Sequence, residues 1–170
     1  MLGASLIGAQ AQVSIKFGED QSEEEAQPQQ DAGGVKLPAY PKEDDLLGFF
    51  VSAANDFKFF VDGKSITVDG SIIRFTVVAR SPEGVSNVSY EAIRCSSNEY
   101  RIYAVGHADK TWAKRTTPWR EIRRKSVQRW RDALRSDYFC PAGLPILSVE
   151  EGIDALQRGR NRLIDRSDGF

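Results

Sequence analysis

From Asp45 to Val105 the chain alternates short apolar and β-branched runs with turn residues, with no stretch of helical periodicity between them. That spacing predicts an antiparallel meander rather than strands joined by crossover helices. Asp45-Leu46-Leu47-Gly48-Phe49-Phe50-Val51 marks the start of the core. Phe57 to Val61 and Ser65 to Val68 read as strands, followed by Asp62-Gly63 and Asp69-Gly70. Both pairs are hairpin signals, because a tight turn needs positive φ and glycine supplies it without steric cost. From Ser71 to Arg80, Ile73, Phe75, Val77 and Ala79 fall on one face and Arg74, Thr76 and Arg80 on the other. After the turn Ser81-Pro82-Glu83-Gly84, the runs Val85 to Cys95 and Glu99 to Val105, joined at Ser96-Ser97-Asn98, complete a sheet of about five strands. Thr111 to Arg115 is a candidate edge strand.

From about Pro118 the period lengthens. Val127, Trp130 and Leu134 recur at helical spacing, with Arg124, Arg131 and Arg135 opposite, which predicts a long amphipathic helix. A shorter helix is expected from Val149 to Leu156, with Ser148 as N-cap and Glu151 at the capping-box position. The fold class is therefore α+β: a meander of about five strands packed with one long and one short C-terminal helix. The pairs Phe49-Phe50 and Phe59-Phe60 put one ring on each sheet face, so both faces should be at least partly covered. With Tyr90, Tyr100 and Tyr103 these rings are read as core rather than pocket.

Composition places the folded part. Residues 17–36 are almost all Glu, Asp, Gln, Pro and Gly, too polar to offset their own ordering entropy. The expected organisation is a partial signal peptide at 1–11, an acidic linker at 12–36, a single globular domain at 37–159 and a flexible tail at 160–170. The signal is read from the apolar run Leu2, Ala4, Leu6, Ile7 ending in Ala9-Gln10-Ala11, a small-x-small cleavage pattern that lacks its basic front. Export, and a periplasmic location, follow as the expectation. No run approaches a membrane span.

The two cysteines, Cys95 and Cys140, with one histidine in the chain, cannot build an ordinary zinc site. No metal or cofactor is expected. An even pair with long separation and no C-x-x-C spacing in an exported chain reads as one structural disulfide. Closing a loop of about 45 residues, it would stabilise by roughly 4 kcal/mol.

Several segments together carry a resemblance: Leu37-Pro-Ala-Tyr-Pro41, Phe49-Phe-Val-Ser52, Arg80-Ser-Pro-Glu-Gly84, Asn87-Val-Ser-Tyr-Glu-Ala-Ile-Arg-Cys95, Glu99-Tyr-Arg-Ile-Tyr103 and Asp137-Tyr-Phe-Cys-Pro141. Over about Leu37 to Gly159 the chain resembles the bacterial envelope family named after a cryptic neisserial protein. The resemblance implies export and a paired Cys95 and Cys140, and it implies no activity. Lipoprotein members carry a lipobox cysteine, which is missing here, so a lipid anchor is not carried over.

Two constellations are candidate ligand or partner surfaces. Arg74, Glu91 and Arg101 lie on different strands at positions that would share the non-core face if the register aligned them, giving a carboxylate between two guanidiniums. The bland alternative is an ion network under the long helix. The segment Lys110 to Arg135 carries ten basic residues against Glu121 and Asp132, with Trp112, Trp119 and Trp130 interleaved. Lys114, Arg115, Arg120, Arg123 and Arg124 would be its polyanion contacts, for nucleic acid or anionic lipid. Net charge is only -1, and the acidic stretch Glu19 to Asp45 offers internal neutralisation.

No catalytic residue is assigned. His107 sits in a turn, and neither a nucleophile elbow nor a phosphate loop occurs. A hydrolase would require Glu91, Asp137 or His107 to meet in one cleft. The leading expectation is a non-catalytic domain that binds an envelope protein, with polyanion binding as the alternative.

Overall fold

The computed structural model describes residues 34–124 and 127–163. The expected signal, nearly all of the acidic linker, and positions 164–170 of the expected tail lie outside these residues.

Alternating apolar residues build one continuous antiparallel sheet. Its strands are β1 (Leu46–Phe49), β2 (Lys58–Asp69), β3 (Ile72–Arg80), β4 (Ser86–Arg94), β5 (Glu99–Gly106), β6 (Trp112–Lys114) and β7 (Arg120–Glu121). Spatial order follows chain order from β1 to β6, and β7 pairs β5 beside β6. The meander is as expected, with two strands more: the Leu46–Phe49 run pairs as an edge, and the chain after Pro118 returns to the sheet.

One hairpin expectation is corrected. Asp69-Gly70 does turn the chain, with Gly70 at φ 56. Asp62-Gly63 instead lies inside β2, where pairing with β3 slips between Asp62 and Thr67. The reason is a local network that substitutes for a turn. The Asp62 carboxylate accepts from the Lys64 amide at 3.0 Å, and the Ser65 hydroxyl donates to the Asp62 carbonyl at 2.8 Å while accepting from the Thr76 amide at 2.7 Å. The chain bulges and continues.

Phe59, Val61, Ile73, Phe75, Val77 and Ile93 face one side of the sheet and are buried by the C-terminal elements. There α1 (Arg129–Ala133) runs directly into a π-helical segment, Leu134–Phe139, and α2 (Val149–Arg158) follows. The long helix is therefore shorter than the expected one. The chain just after Pro118 is drawn into extended pairing at Arg120 and Glu121: Glu121 opposes Glu99, the Ile122 amide donates to the Asn98 carbonyl, and Ile122 is buried. Val127, expected on the buried stripe, is 95% exposed. Tertiary pairing overrode helical periodicity there.

The second helix forms as its caps dictate. The Ser148 hydroxyl accepts from the Glu151 amide at 3.2 Å, the Glu151 carboxylate accepts from the Leu147 amide, and Gly159 closes the helix at φ 87. The packing continues past Gly159, because Asn161 is buried and donates to the Tyr138 carbonyl and to Glu151. A disulfide joins Cys95, just after β4, to Cys140, at the end of the π-helical segment, with the Cα atoms 5.6 Å apart.

The opposite sheet face is covered by other means. Tyr90, Ala92, Tyr103 and Ala104 are buried there beneath Val35, Leu37, Trp112 and Trp119. Phe60 also lies on this face, under the Arg80 guanidinium at 4.9 Å, and Arg80 pairs through both terminal nitrogens with Glu43 at 3.0 and 2.9 Å.

Candidate functional site

The cleft between the helical side of the sheet and α1 gathers the groups with chemical potential. Its floor is made by Phe59 of β2 and Trp130 of α1, stacked at 5.7 Å with planes 21° apart. On one side of Trp130 lies a cavity of about 510 Å³ lined by Ser52, Asn55, Phe57, Phe59, Val127 and Trp130. On the other side a cavity of about 320 Å³ is lined by Val77, Asn87, Ser89, Glu91, Ile102 and Arg131 among others. Ala79 and Trp130 line both, so the two cavities adjoin as sections of a groove along α1, the first lined mostly by apolar side chains and the second holding Glu91 and Arg131.

At the charged end Glu91 is 1% exposed. Arg131 meets it in a two-pronged pair, Nε to Oε2 at 2.7 Å and Nη2 to Oε1 at 2.8 Å, and the Ser89 hydroxyl donates to Oε1 at 2.6 Å. The guanidinium also lies over the rings of Tyr100 (4.1 Å) and Trp130 (4.2 Å). A carboxylate whose two oxygens both accept charge-assisted bonds is neutralised and held. This geometry fastens α1 to the sheet; it does not leave a base poised toward the cleft.

The apolar end is open. Phe57 is 39% exposed, and Phe50, beside it on the β1–β2 connection, is 67% exposed. The Ser52 hydroxyl is buried and has no hydrogen-bond partner among the described residues. Tyr138 anchors the connection from below: its hydroxyl accepts from the Phe50 amide at 3.1 Å, and burial holds its ionisation above the ordinary tyrosine range.

The structure does not bring Arg74, Glu91 and Arg101 onto one face. Arg74 and Arg101 each oppose Ala92 across their strand pairs, whereas Glu91 opposes Phe75 and Ile102. Glu91 therefore points to the helical side and the two arginines to the other. Arg74 pairs with Asp69 at 3.3 Å, and Arg101 lies 5.0 Å from the Trp119 ring centroid, which Arg94 covers at 4.0 Å. Glu91 takes its partner, Arg131, from the helix rather than from either strand arginine.

Lys114, Arg115, Arg120, Arg123 and Arg124 are all exposed along the β6–β7 edge. Arg123 pairs with Glu121 at 3.5 Å and Arg124 with Asp132 at 3.3 Å. The tryptophans of this segment are turned inward: Trp112 against Tyr40 and Tyr90, Trp119 beneath Arg94 and Arg101, Trp130 on Phe59. His107 and Asp137 are exposed, and of the three hydrolase candidates Glu91 alone lines the groove. Among the described residues no group of His, Cys, Asp and Glu is placed to hold a metal.

Sequence reasoning missed Arg131, which it set on the solvent side of a helix starting near Pro118. With the helix starting at Arg129, Trp130, Arg131 and Leu134 all turn to the sheet. The sequence held no signal for the partner of Arg131, which is 40 residues away.

Searches of the curated proteins and of the solved structures found no match. The model of the CNP1-like family matches residues 24–157, a span that holds the whole sheet, α1, both cysteines and the groove, and the chain belongs to that family.

Proposed function

We propose that the chain is a non-catalytic binding domain of the bacterial cell envelope, and that its groove beside Trp130 receives an apolar segment of an envelope protein. The observation that carries this reading is the pairing of exposed Phe57 and Val127 on one groove whose floor is the stacked Phe59 and Trp130. Exposed large apolar side chains collected around a concavity favour association, since covering them removes apolar surface from water. The buried Ser52 hydroxyl adds a hydrogen-bonding group that a partner backbone would satisfy.

Export is supported by the Cys95–Cys140 disulfide, which belongs to oxidising compartments. No helix among the described residues is long and apolar enough to cross a membrane. Polyanion binding through Lys114, Arg115, Arg120, Arg123 and Arg124 is disfavoured because the interleaved indoles, which would stack on bases, are engaged within the fold.

The test is photocrosslinking in intact cells of the source bacterium, with a photoreactive residue at Phe57, Val127, Arg120 or, as control, Glu83. A discrete protein adduct from positions 57 and 127, absent from 83, is expected. Adducts to nucleic acid or lipid from position 120, with none from 57 or 127, would replace this reading by the polyanion one.

A further inference from the structure

The face opposite the helices is closed by residues that form no strand, 35–41. This strap, Val35-Lys36-Leu37-Pro38-Ala39-Tyr40-Pro41, opens the compact unit, which begins at Val35. Its two prolines can donate no backbone hydrogen bond and favour extended backbone. Among the described residues no backbone-to-backbone hydrogen bond joins it to the sheet. What holds it is a set of contacts suited to a proline-bearing chain. The Trp112 indole donates to the Pro38 carbonyl at 3.0 Å, and the Tyr40 hydroxyl donates to the His107 carbonyl at 3.1 Å. The Tyr40 ring lies against Trp112 with centroids 5.1 Å apart. Val35 and Leu37 pack on the buried cluster Tyr90, Ala92, Tyr103 and Ala104. Tyr40 fits because position 106 is glycine: a Cβ there would come within 2.7 Å of its hydroxyl.

An aromatic platform with an indole donating to the carbonyl of an extended, proline-bearing chain is how grooves that read polyproline segments work. A sheet extending its own ladder would use backbone bonds; this face uses an indole, a phenol and apolar packing. We infer that this face is a recognition groove for a proline-bearing extended segment of another protein, of the form apolar, proline, small residue, aromatic, proline, and that residues 35–41 occupy it in cis until such a segment replaces them. The surface is distinct from the groove beside Trp130. While the strap is seated, only the strap-open fraction of molecules binds, so apparent affinity falls by that fraction. Weakening the strap therefore strengthens binding in trans.

The experiment uses the full chain with its disulfide formed and a fluorescein-labelled peptide of sequence GVKLPAYPK, residues 34–42, read by fluorescence anisotropy. The variant Leu37→Ala/Tyr40→Ala, checked for its disulfide and its circular dichroism, is expected to bind the peptide at least about tenfold more tightly than the unaltered chain. Adding Trp112→Phe, which keeps a ring but removes the indole donor, should weaken binding about tenfold. A peptide with both prolines replaced by alanine should bind more weakly than the original. No binding by the folded double variant would overturn the inference. If the double variant does not fold, the unaltered chain decides: ¹⁵N spectra at millimolar peptide are expected to show the Trp112 indole and the Gly106 amide shifting together with the strap amides. Unmoved signals would overturn the inference. A concentration-dependent dimer of the unaltered chain that the peptide dissolves would place a second copy's strap in the groove and overturn the assignment to another protein.

Discussion

The two faces of this sheet are closed by covers of different kinds. On one face α1, the π-helical segment and α2 bury a contiguous apolar layer, are stitched to β4 by the Cys95–Cys140 bond and are pinned by the buried Glu91–Arg131 pair. On the other face an extended strap lies over aromatic rings, held by side-chain hydrogen bonds to carbonyls and by a half-buried apolar layer. Removing the first cover requires breaking a covalent bond or exposing an unpaired charge. Removing the second exposes rings but breaks no ladder. The difference implies permanence for the helical cover and, on the two proposed readings, a preformed groove beside Trp130 against a strap face that must first be vacated.

The largest blow to this comparison falls on the ion pair. Arg131→Met should cost about 3–5 kcal/mol in urea unfolding, because it strands Glu91 in the interior. The double variant Glu91→Leu/Arg131→Leu should lose markedly less, since no charge is left unpaired. Equal losses would mean that the pair does not fasten α1. Next comes the covalent tie: Cys140→Ser, or reduction of the native chain, should lower stability by about 4 kcal/mol. Mass analysis of a non-reduced digest should show the Cys95 and Cys140 peptides linked.

On the strap face the effects are smaller and local. Gly106→Ala forces a Cβ to within 2.7 Å of the Tyr40 hydroxyl and 2.9 Å of the Val88 Cβ. A loss of about 1–3 kcal/mol is expected, with Tyr40 displaced and the helical face unchanged in its tyrosine and tryptophan fluorescence. The smallest effect concerns Asp62. Burial pushes its carboxyl above the ordinary range, with Asp45 adding to the rise and the Lys64 amide opposing it. The folded state then binds the Asp62 proton more tightly than the unfolded chain, so this group's favourable contribution is complete at acid pH and is lost as pH rises through its folded value. Asp62→Asn keeps an oxygen for the Lys64 amide and should raise the melting temperature at neutral pH, by less below the carboxylate range.

Much of this was legible in the chain where one periodicity acts alone. Ile73, Phe75, Val77 and Ala79 alternate cleanly and face the helices; Ser148 and Glu151 cap the helix they announce. Legibility failed where a distant partner decides. Asp62-Gly63 carries the same letters as Asp69-Gly70, yet the Ser65–Thr76 hydrogen bond makes it a bulge. Residues 118–128 read as helix until β5 claims Arg120 and Glu121. Arg74, Glu91 and Arg101 alternate as expected within each strand, but strand register sends Glu91 to the opposite face. The seat of Leu37 to Pro41 under Trp112 was not readable, because nothing local in either segment names the other.

Native-state hydrogen exchange on the oxidised full chain tests the contrast between the two covers most directly. The Trp112 indole N–H, which is bound to the strap, is expected to exchange through a local opening far below the global unfolding free energy, while the amides of Leu134 to Cys140 exchange only with global unfolding. Equal protection of the indole and the helical amides would contradict it.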